Sequence, residues 1–289
     1  MNSGAAAPCP AAFSFIQMDQ NEIDRALMEV KLNGIGLFAC GLPSWQQGRA
    51  VLTGELSYQH DLSPAFDVDL LPRNERRRAT KTIRLALQVA QEAMQSAQIS
   101  DRAELCSVFS CSGGDTETLD MICTSLALPG QAVSPNQFHN SVHNAPAGYW
   151  AIANGSRGPS TSLSAYDSSF AAGLLDAVSL VVVMEQPVLL VAYDVPPPAA
   201  LFPFRPLVAP FGAALLLYPE SADGEGLVFA LAISTDRYED QLAGELEILR
   251  TGNPAARCLP MLAAIARGGQ AEVVLPYFPE SQLIVHLRC

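Results

Sequence analysis

The sequence predicts a layered α/β protein, and three observations support that class. Apolar residues recur every three or four positions from Arg76 to Gln98, which is the period of a helix. An almost wholly apolar segment, residues 168–184, is followed by Pro187, which prevents the helix from continuing. The unbroken apolar run Val188–Tyr193 comes next and is typical of a buried parallel strand. Strands that alternate with helices in this way build a sheet covered by helices.

The first half of the chain is predicted to supply two core strands and two helices. Residues 31–40 form the first strand, in which glycines allow another backbone to approach closely, and a long polar stretch continues to residue 72. After the helix 76–98 comes a short strand, residues 105–110. A second helix then extends to about Leu126, with Asp115 as its N-cap.

The second half is predicted to continue the alternation. The strand 161–165 leads into the helix 168–184, which is apolar on more than one face and is therefore expected to be buried on several sides. The remaining predicted elements are a strand pair at 211–218 and 227–234, a helix at 255–267 and a closing hairpin at 272–277 and 282–287. Residues 1–29, rich in Ala and Pro and then polar, are predicted to be an extension outside the domain 30–289.

Charge limits the classes of partner. The chain of 289 residues has a formal net charge of −12, which argues against nucleic acid or an anionic membrane as the main partner. The exception is a basic cluster of Arg73, Arg76, Arg77 and Arg78. That cluster is either a solvated face or a docking place for an anionic partner.

Cysteine usage and hydropathy predict a cytoplasmic protein. The seven cysteines form no Cys-x-x-Cys pair and are odd in number, which is typical of reduced thiols. The N-terminus lacks a basic region followed by an apolar run, so no signal peptide is predicted. Two apolar runs, Ser179–Met184 and Val188–Ala192, are split by Pro187 and are each too short to span a bilayer, so no membrane insertion is expected.

Residues from Ser134 onward carry a specific resemblance to a known family. Asn144-Ala-Pro-Ala-Gly148 is similar to the Asn-x-x-Ala-Gly helix of β-ketoacyl synthases, and Asn154-Gly-Ser-Arg-Gly-Pro159 matches the turn before their nucleophile strand. The string Phe138–Asn144 resembles the short synthase-like N-terminal domain proteins of aryl polyene and related type II polyketide or fatty acid systems. The resemblance implies a thiolase-like fold that is truncated, comprising mainly the N-terminal half of a ketosynthase and a short C-terminal piece of one helix and two strands.

The same resemblance places Asp167 at the family's nucleophilic cysteine, in a strand-to-helix elbow (Gly158–Gly173). A thiolate forms a thioester intermediate, whereas a carboxylate would form a labile anhydride. The family's two further catalytic residues lie in a second half, and the last fifty or so residues here contain a single histidine, His286. We therefore expect no catalytic residue and no independent condensing activity, and we predict that Asp167 caps the helix that follows.

The resemblance implies a chain-length-factor-like subunit, which pairs with an active synthase, while an acyl carrier protein docks transiently on the pair. The gate segment (Ser134–Tyr149) would then lie near the partner's active site and cap its acyl tunnel. The candidate tunnel and interface residues are Gln137, Phe138, His139, Ser141, His143 and Asn144. Bulk at such positions would stop elongation, because an acyl chain cannot enter a packed wall without strain.

The sequence gives weaker support to other functions. Ser168 could act as a nucleophile with His139 or His143 as base, in a free-standing acyltransferase or hydrolase, but the Gly-x-Ser-x-Gly elbow is absent. The two histidines are spaced as metal ligands on one helix face, and no Cys, Asp or Glu completes the set nearby. Ser112-Gly113-Gly114 lacks the Lys-Ser/Thr of a phosphate loop. The sequence therefore predicts no cofactor and no metal.

Overall fold

A computed structural model describes residues 28–61, 65–66, 70–99, 102–222, 226–235 and 238–288. Its strands are β1 (Met28–Ala39), β2 (Cys106–Ser110), β3 (Ser160–Leu163), β4 (Val188–Asp194), β5 (Phe211–Pro219), β6 (Leu227–Ser234), β7 (Ala271–Phe278) and β8 (Ser281–Arg288). Its α-helices are α1 (Trp45–Leu52), α2 (Arg73–Arg78), α3 (Lys81–Ser96), α4 (Thr116–Ala127), α5 (Pro135–Asn140), α6 (Ala145–Asn154), α7 (Ser169–Met184), α8 (Glu245–Gly252) and α9 (Leu259–Arg267). Residues 1–27, most of the predicted extension, lie outside the described residues.

The strands form one sheet in the order β3-β2-β4-β5-β1-β6-β8-β7. β2 runs parallel to β3 and β4, and the remaining pairs are antiparallel. The predicted pairing of 211–218 with 227–234 is wrong, because β1 lies between β5 and β6 and pairs with both. β1 is twelve residues long and mostly buried, as expected for a central strand with a neighbour on each edge.

Helices cover both faces of the sheet, as the predicted class requires. Alternate residues of β4 face opposite layers: Val188, Leu190 and Ala192 pack in a core with α1, α7 and α9. Leu189, Val191 and Tyr193 pack in a second core with α3 and α6. Gly34 and Gly36 let β1 touch α3, because a Cβ at either position would collide with the carbonyl of Ala93 or Val89. The predicted layered α/β class is confirmed.

The predicted helix 76–98 is two helices. Ala79 takes an extended backbone conformation with ψ 123°, which ends α2. Thr80 then caps α3, since its Oγ1 accepts a hydrogen bond from the Ile83 amide at 3.3 Å. α1 and α8 were not predicted, and the helix expected at 255–267 begins with a 3₁₀ turn, so that α9 starts at Leu259.

The helix α7 is buried along one broad face rather than on several sides. Phe170, Leu174, Val178 and Val181 pack on the sheet, whereas Val183 is 80% exposed. Within the described residues, the helical stretch Tyr166–Met184 is long and apolar enough to cross a membrane by length and composition, with 44% of the window buried inside the protein. The run Ser179–Met184, which was expected to be too short, is only the end of this helix.

The described cysteines, Cys40, Cys106, Cys111, Cys123 and Cys258, are all free thiols. Cys106, Cys111 and Cys258 are buried, whereas Cys123 is exposed. Cys9 and Cys289 lie outside the described residues.

Candidate functional site

The elbow is built on Ser169, the first residue of α7. Ser169 Oγ accepts a hydrogen bond from the Ala165 amide at 3.0 Å and donates one to the Tyr166 carbonyl at 2.7 Å. The Ser110 hydroxyl of β2 donates to the Ser169 carbonyl. Tyr166 has a positive φ of 54°, a backbone conformation that residues other than glycine rarely adopt. These bonds hold one 3₁₀ turn, Tyr166–Ser168, between strand and helix.

Asp167 lies in that turn and does not cap α7. The N-cap position is Ser168, and no side-chain cap bond is formed there, so the predicted capping role is wrong. The reason is the extra 3₁₀ turn, which displaces Asp167 by one residue from the helix start. Asp167 Oδ1 instead accepts a hydrogen bond from Arg205 Nη1 at 2.7 Å.

Arg205 closes the elbow from a loop that follows β4. Its guanidinium carbon lies 3.7 Å from the centre of the Tyr166 ring, a cation–π contact that accompanies the ion pair with Asp167. The Asp167 side chain is 51% exposed and that of Arg205 is 20% exposed. The residue that the resemblance predicts at the family's nucleophile position is therefore a carboxylate that is already paired with a cation.

Asp194, at the end of β4, forms a buried polar cluster beside the elbow. Its Oδ1 accepts hydrogen bonds from the Ser112 amide at 2.9 Å, the Ser112 hydroxyl at 2.7 Å and the Cys111 thiol at 3.3 Å. Burial raises the pKa of Asp194, against the lowering effect of these bonds and of the charge on Arg205. Burial, followed by the charge of Asp194, raises the pKa of the Cys111 thiol well above its ordinary value. Cys111 is therefore a poor replacement for the missing nucleophile, because the thiolate is the reactive form.

The gate segment is anchored by a residue that the sequence did not single out. Asn140 is 4% exposed; its Nδ2 donates to the Arg78 carbonyl at 2.8 Å, and its Oδ1 accepts from the Tyr149 hydroxyl at 3.1 Å. These two bonds tie α5 to both α2 and α6. The only available signal was an Asn within a polar string, which does not reveal burial.

The predicted gate residues differ in their exposure to solvent and in their side-chain contacts. Phe138 is 69% exposed on α5, and the Ser141 hydroxyl donates to the Phe138 carbonyl at 2.9 Å. Gln137 Nε2 lies 3.5 Å from Met121 Sδ of α4. Asn144 is exposed at the N-cap position of α6 and makes no side-chain cap bond.

The spacing of the two histidines predicts that they share one helix face, and this prediction is wrong. α5 ends at Asn140, so His139 lies on it and His143 lies beyond it. His139 packs edge-on against the Tyr149 ring, and His143 Nε2 donates to the Leu163 carbonyl at 3.0 Å. No hydrogen bond joins either of them to Ser168 among the described residues. The same part of the chain contains no group of three or more His, Cys, Asp or Glu side chains placed to hold a metal.

The helices α4 and α5 display an apolar surface. In α4 only Thr118 is buried, and α4 lies beside α5 at the Met121–Gln137 contact. We call the exposed apolar side chains of this region the apolar platform: Leu119, Met121, Leu126, Leu128, Phe138 and Val142, which are between 39% and 70% exposed. Exposed apolar side chains gathered in one region in this way are candidates for contact with another protein.

A cleft of about 740 Å³ opens at the elbow. Tyr166, Asp167 and Ser168 form one wall, and Tyr277 and Phe278 of β7 contribute to the other. The cleft therefore lies between the elbow and β7, the strand at the opposite edge of the sheet from β3.

Comparison with known proteins places these features in a family context. The family model described as β-ketoacyl synthase, N-terminal domain, matches residues 45–269. No curated protein sequence matches the chain.

Several solved structures have the same fold. One is the ketosynthase ApeO in complex with its chain length factor ApeC from Xenorhabdus doucetiae, with a TM-score of 0.68, 23% identity, and coverage of 89% of this chain and 98% of that chain. Another is the AntDE:AntF complex, a type II polyketide synthase acyl-carrier protein with its ketosynthase bound to the hexaketide, with a TM-score of 0.70, 10% identity, and coverage of 90% and 99%. The ishigamide ketosynthase/chain length factor matches with a TM-score of 0.66 and 14% identity, and the match covers 90% of this chain and 99% of that chain. The expected thiolase-like fold is confirmed, and the chain spans nearly the whole length of these matched chains.

Proposed function

This chain belongs to the β-ketoacyl synthase N-terminal domain family, and from that premise we propose that it is a non-catalytic, chain-length-factor-like subunit. It pairs with an active β-ketoacyl-[acyl carrier protein] synthase and shapes that partner's acyl-chain tunnel. The pair would serve polyene, polyketide or fatty acid assembly in the cytoplasm. Solved structures that include ketosynthases with chain length factors share its fold, which supports a partner role of this kind.

The apolar platform is the observation that carries the proposal. A helix of twelve residues with one buried side chain, such as α4, gains little from packing within its own chain. The edge strand β3 lies beside the gate segment, because His143 bonds the last residue of β3, and in the described sheet β3 has only β2 as a neighbour. An exposed apolar surface next to an open sheet edge is stabilised when another protein covers both.

The elbow supports the absence of catalysis. In an active synthase of this family the corresponding side chain is a cysteine that attacks the acyl thioester. Here Asp167 is held by Arg205 at 2.7 Å, and the nearby Cys111 is buried with a raised pKa. We infer that acylation takes place on the partner's cysteine and that this subunit's elbow has a structural role.

The basic helix α2 supports a transient carrier protein partner. α2 has no buried residue, and its Arg73 and Arg77 side chains point to solvent. Because Asn140 bonds the Arg78 carbonyl, the helix lies directly beside the gate segment. An acidic carrier protein that docked on α2 would deliver its acyl chain next to the proposed tunnel.

Co-expression with a cysteine-bearing synthase of an aryl polyene or type II polyketide system tests the proposal. We expect a stable heterodimer that elongates carrier-bound acyl chains, while this subunit alone is inactive. The same assay without the partner provides the decisive contrast. Turnover of acyl- and malonyl-carrier substrates by the isolated chain, abolished by Ser168→Ala, would overturn the proposal in favour of a free-standing enzyme.

A further inference from the structure

The two edges of the sheet differ in how their backbone hydrogen-bonding groups are satisfied. In the described sheet, β7 has only β8 as a neighbour and β3 has only β2, so each strand presents one outer edge. An unpaired edge offers a row of N–H and C=O groups to any other strand and is a place where chains associate. A sheet that is open at both edges can therefore add neighbours at both ends.

The outer edge of β7 is blocked at Val274. The Asp240 amide donates to the Val274 carbonyl at 2.9 Å, and the Val274 amide donates to Asp240 Oδ2 at 2.6 Å. One residue thus takes up both backbone groups of Val274, as the opposite residue of a neighbouring strand would do. Because these groups are directed away from β8, the alternate residues Glu272 and Pro276 direct theirs to the same outer side.

The two other outward positions of β7 are poorly suited to pairing. Pro276 has no N–H group and cannot donate to a new strand, which is why proline in sheets is largely confined to edges. Glu272 carries a charged side chain, which natural edge strands use against association. Val274 lies between them and has both backbone groups, so its contact with Asp240 closes the edge at its most reactive point.

Residues 239–242, which we call the edge guard, are held in place by the helix α8. Glu239 Oε2 lies 2.9 Å from Arg250 Nη1. The Leu242 amide donates to Glu247 Oε2 at 2.9 Å. Because the Arg250 side chain is only 1% exposed, solvent screens its ion pair little. The edge guard is therefore anchored on both sides of the residue that blocks β7.

The edge of β3 has no such guard in the described part of the chain. The Cys111 amide, just after β2, donates to the Leu163 carbonyl at 3.2 Å. The alternate residues Ser160 and Ser162 therefore direct their N–H and C=O groups away from β2. No hydrogen bond among the described residues takes up these groups. β3 also contains no proline and no charged residue, so this edge is open to pairing.

We propose that the edge guard, through Asp240, prevents β7 from pairing with β7 of a second copy of this chain, and so confines assembly to the β3 edge. Without the guard, two copies related by a two-fold axis would pair antiparallel, with Val274 opposite Val274 and Glu272 opposite Pro276. The two Val274 residues would then exchange the hydrogen bonds that each now makes with Asp240. With both edges open, copies would add at each end and form chains, whereas one guarded edge ends the assembly at a pair. The inference holds for any protein that covers β3.

Sedimentation velocity of the isolated chain at increasing concentration tests the guard. Asp240→Pro removes both bonds to Val274, and we expect the weight-average mass of its particles to become at least double that of the wild type. Asp240→Ala keeps the amide donor and should show a smaller increase, while Asp240→Asn keeps an acceptor oxygen and should behave as the wild type. Glu280→Ala removes one carboxylate from the turn between β7 and β8, leaves the guard intact, and is the charge-matched control.

Hydrogen exchange of the Val274 amide distinguishes edge pairing from aggregation of a misfolded chain. In the wild type this amide should exchange slowly at every concentration. In Asp240→Ala it should exchange faster in dilute solution, and protection should return as the concentration rises and the copies pair. Rapid exchange in the wild type would overturn the blocking contact. Folded variants that do not self-associate, or that self-associate without renewed protection of Val274, would overturn the role of the guard in assembly.

Discussion

The elbow and the gate segment are neighbours in the fold, yet they differ in where their polar and apolar groups are satisfied. In the elbow, Ser169 is 1% exposed and bonds two backbone groups, and Asp167 is paired with Arg205. In the gate segment, Asn140 is buried, whereas Phe138 is 69% exposed. The polar groups of the elbow are thus paired within its own chain, while the gate segment presents an apolar side chain to solvent.

This difference indicates which region is retained for structure and which for interaction. An elbow that satisfies its own groups gains stability without a partner. A large exposed aromatic side chain on a short helix gains little from its own fold and much from a partner that buries it. Substitutions in the two regions should therefore separate stability from pairing.

The largest effect on stability is expected for Ser169→Ala in the elbow. The substitution leaves the Ala165 amide and the Tyr166 carbonyl without their partner in a partly buried turn, which costs about 0.5–1.5 kcal/mol for each hydrogen bond. Urea unfolding of the isolated subunit measures the loss. Ser168→Ala, at a half-buried neighbour, is the control and should change the free energy of unfolding by less than about 0.5 kcal/mol. Equal losses for both variants would show that Ser169 does not organise the elbow.

Asp194→Asn should come next, with an effect that depends on pH. Burial raises the pKa of Asp194 in the folded protein, so the folded state holds this proton more tightly than the unfolded chain, whose aspartate titrates near pH ~3.9. The contribution of Asp194 to the free energy of unfolding therefore falls as pH rises from about 4 through the raised folded pKa. Relative to the wild type, the variant should gain stability as pH rises. Unfolding of both proteins at several pH values checks this, and a constant difference would contradict it.

Arg205→Met is expected to have a smaller effect, because its partner is half exposed. The variant loses the ion pair with Asp167 and the contact with the Tyr166 ring, together about 0.5–1 kcal/mol after screening by solvent. A double-mutant cycle with Asp167→Asn isolates the coupling between the two side chains. A coupling near zero would show that the pair does not hold the elbow closed.

Phe138→Ala should barely change stability and should act on the pair instead. Because the ring is mostly exposed in the isolated chain, its removal should alter the free energy of unfolding by less than about 0.5 kcal/mol. In the reconstituted pair we expect longer acyl products, since the wall of the tunnel recedes. Phe204→Ala, which truncates an 82% exposed ring outside the gate segment, is the matched control. An unchanged product distribution for Phe138→Ala would remove this residue from the gate.

The sequence predicted elements whose pattern is local. The periodicity of α3 and the apolar run of β4 follow from which side chains face the core, and the structure confirms both. Asp115 as an N-cap is likewise confirmed, because its Oδ1 accepts from the Thr118 amide three residues later at 3.0 Å. Asp167 as a cap is wrong, because it is the middle residue of a 3₁₀ turn that precedes the helix, and Ser168 takes the N-cap position. Such a turn is fixed by Ser110 and Ser169 together, and these residues are far apart in the chain.

By itself, the sequence determined the α/β class and the order of most elements, since both are properties of neighbouring residues, and its resemblance to the family predicts Asp167 at the position of the family's cysteine. Only the tertiary structure decided that β1 separates β5 from β6, that Arg205 pairs with Asp167, and that Asn140 anchors the gate segment. These facts depend on which distant segments meet. Burial and long-range pairing arise when the whole chain packs into one core, and no local pattern records them.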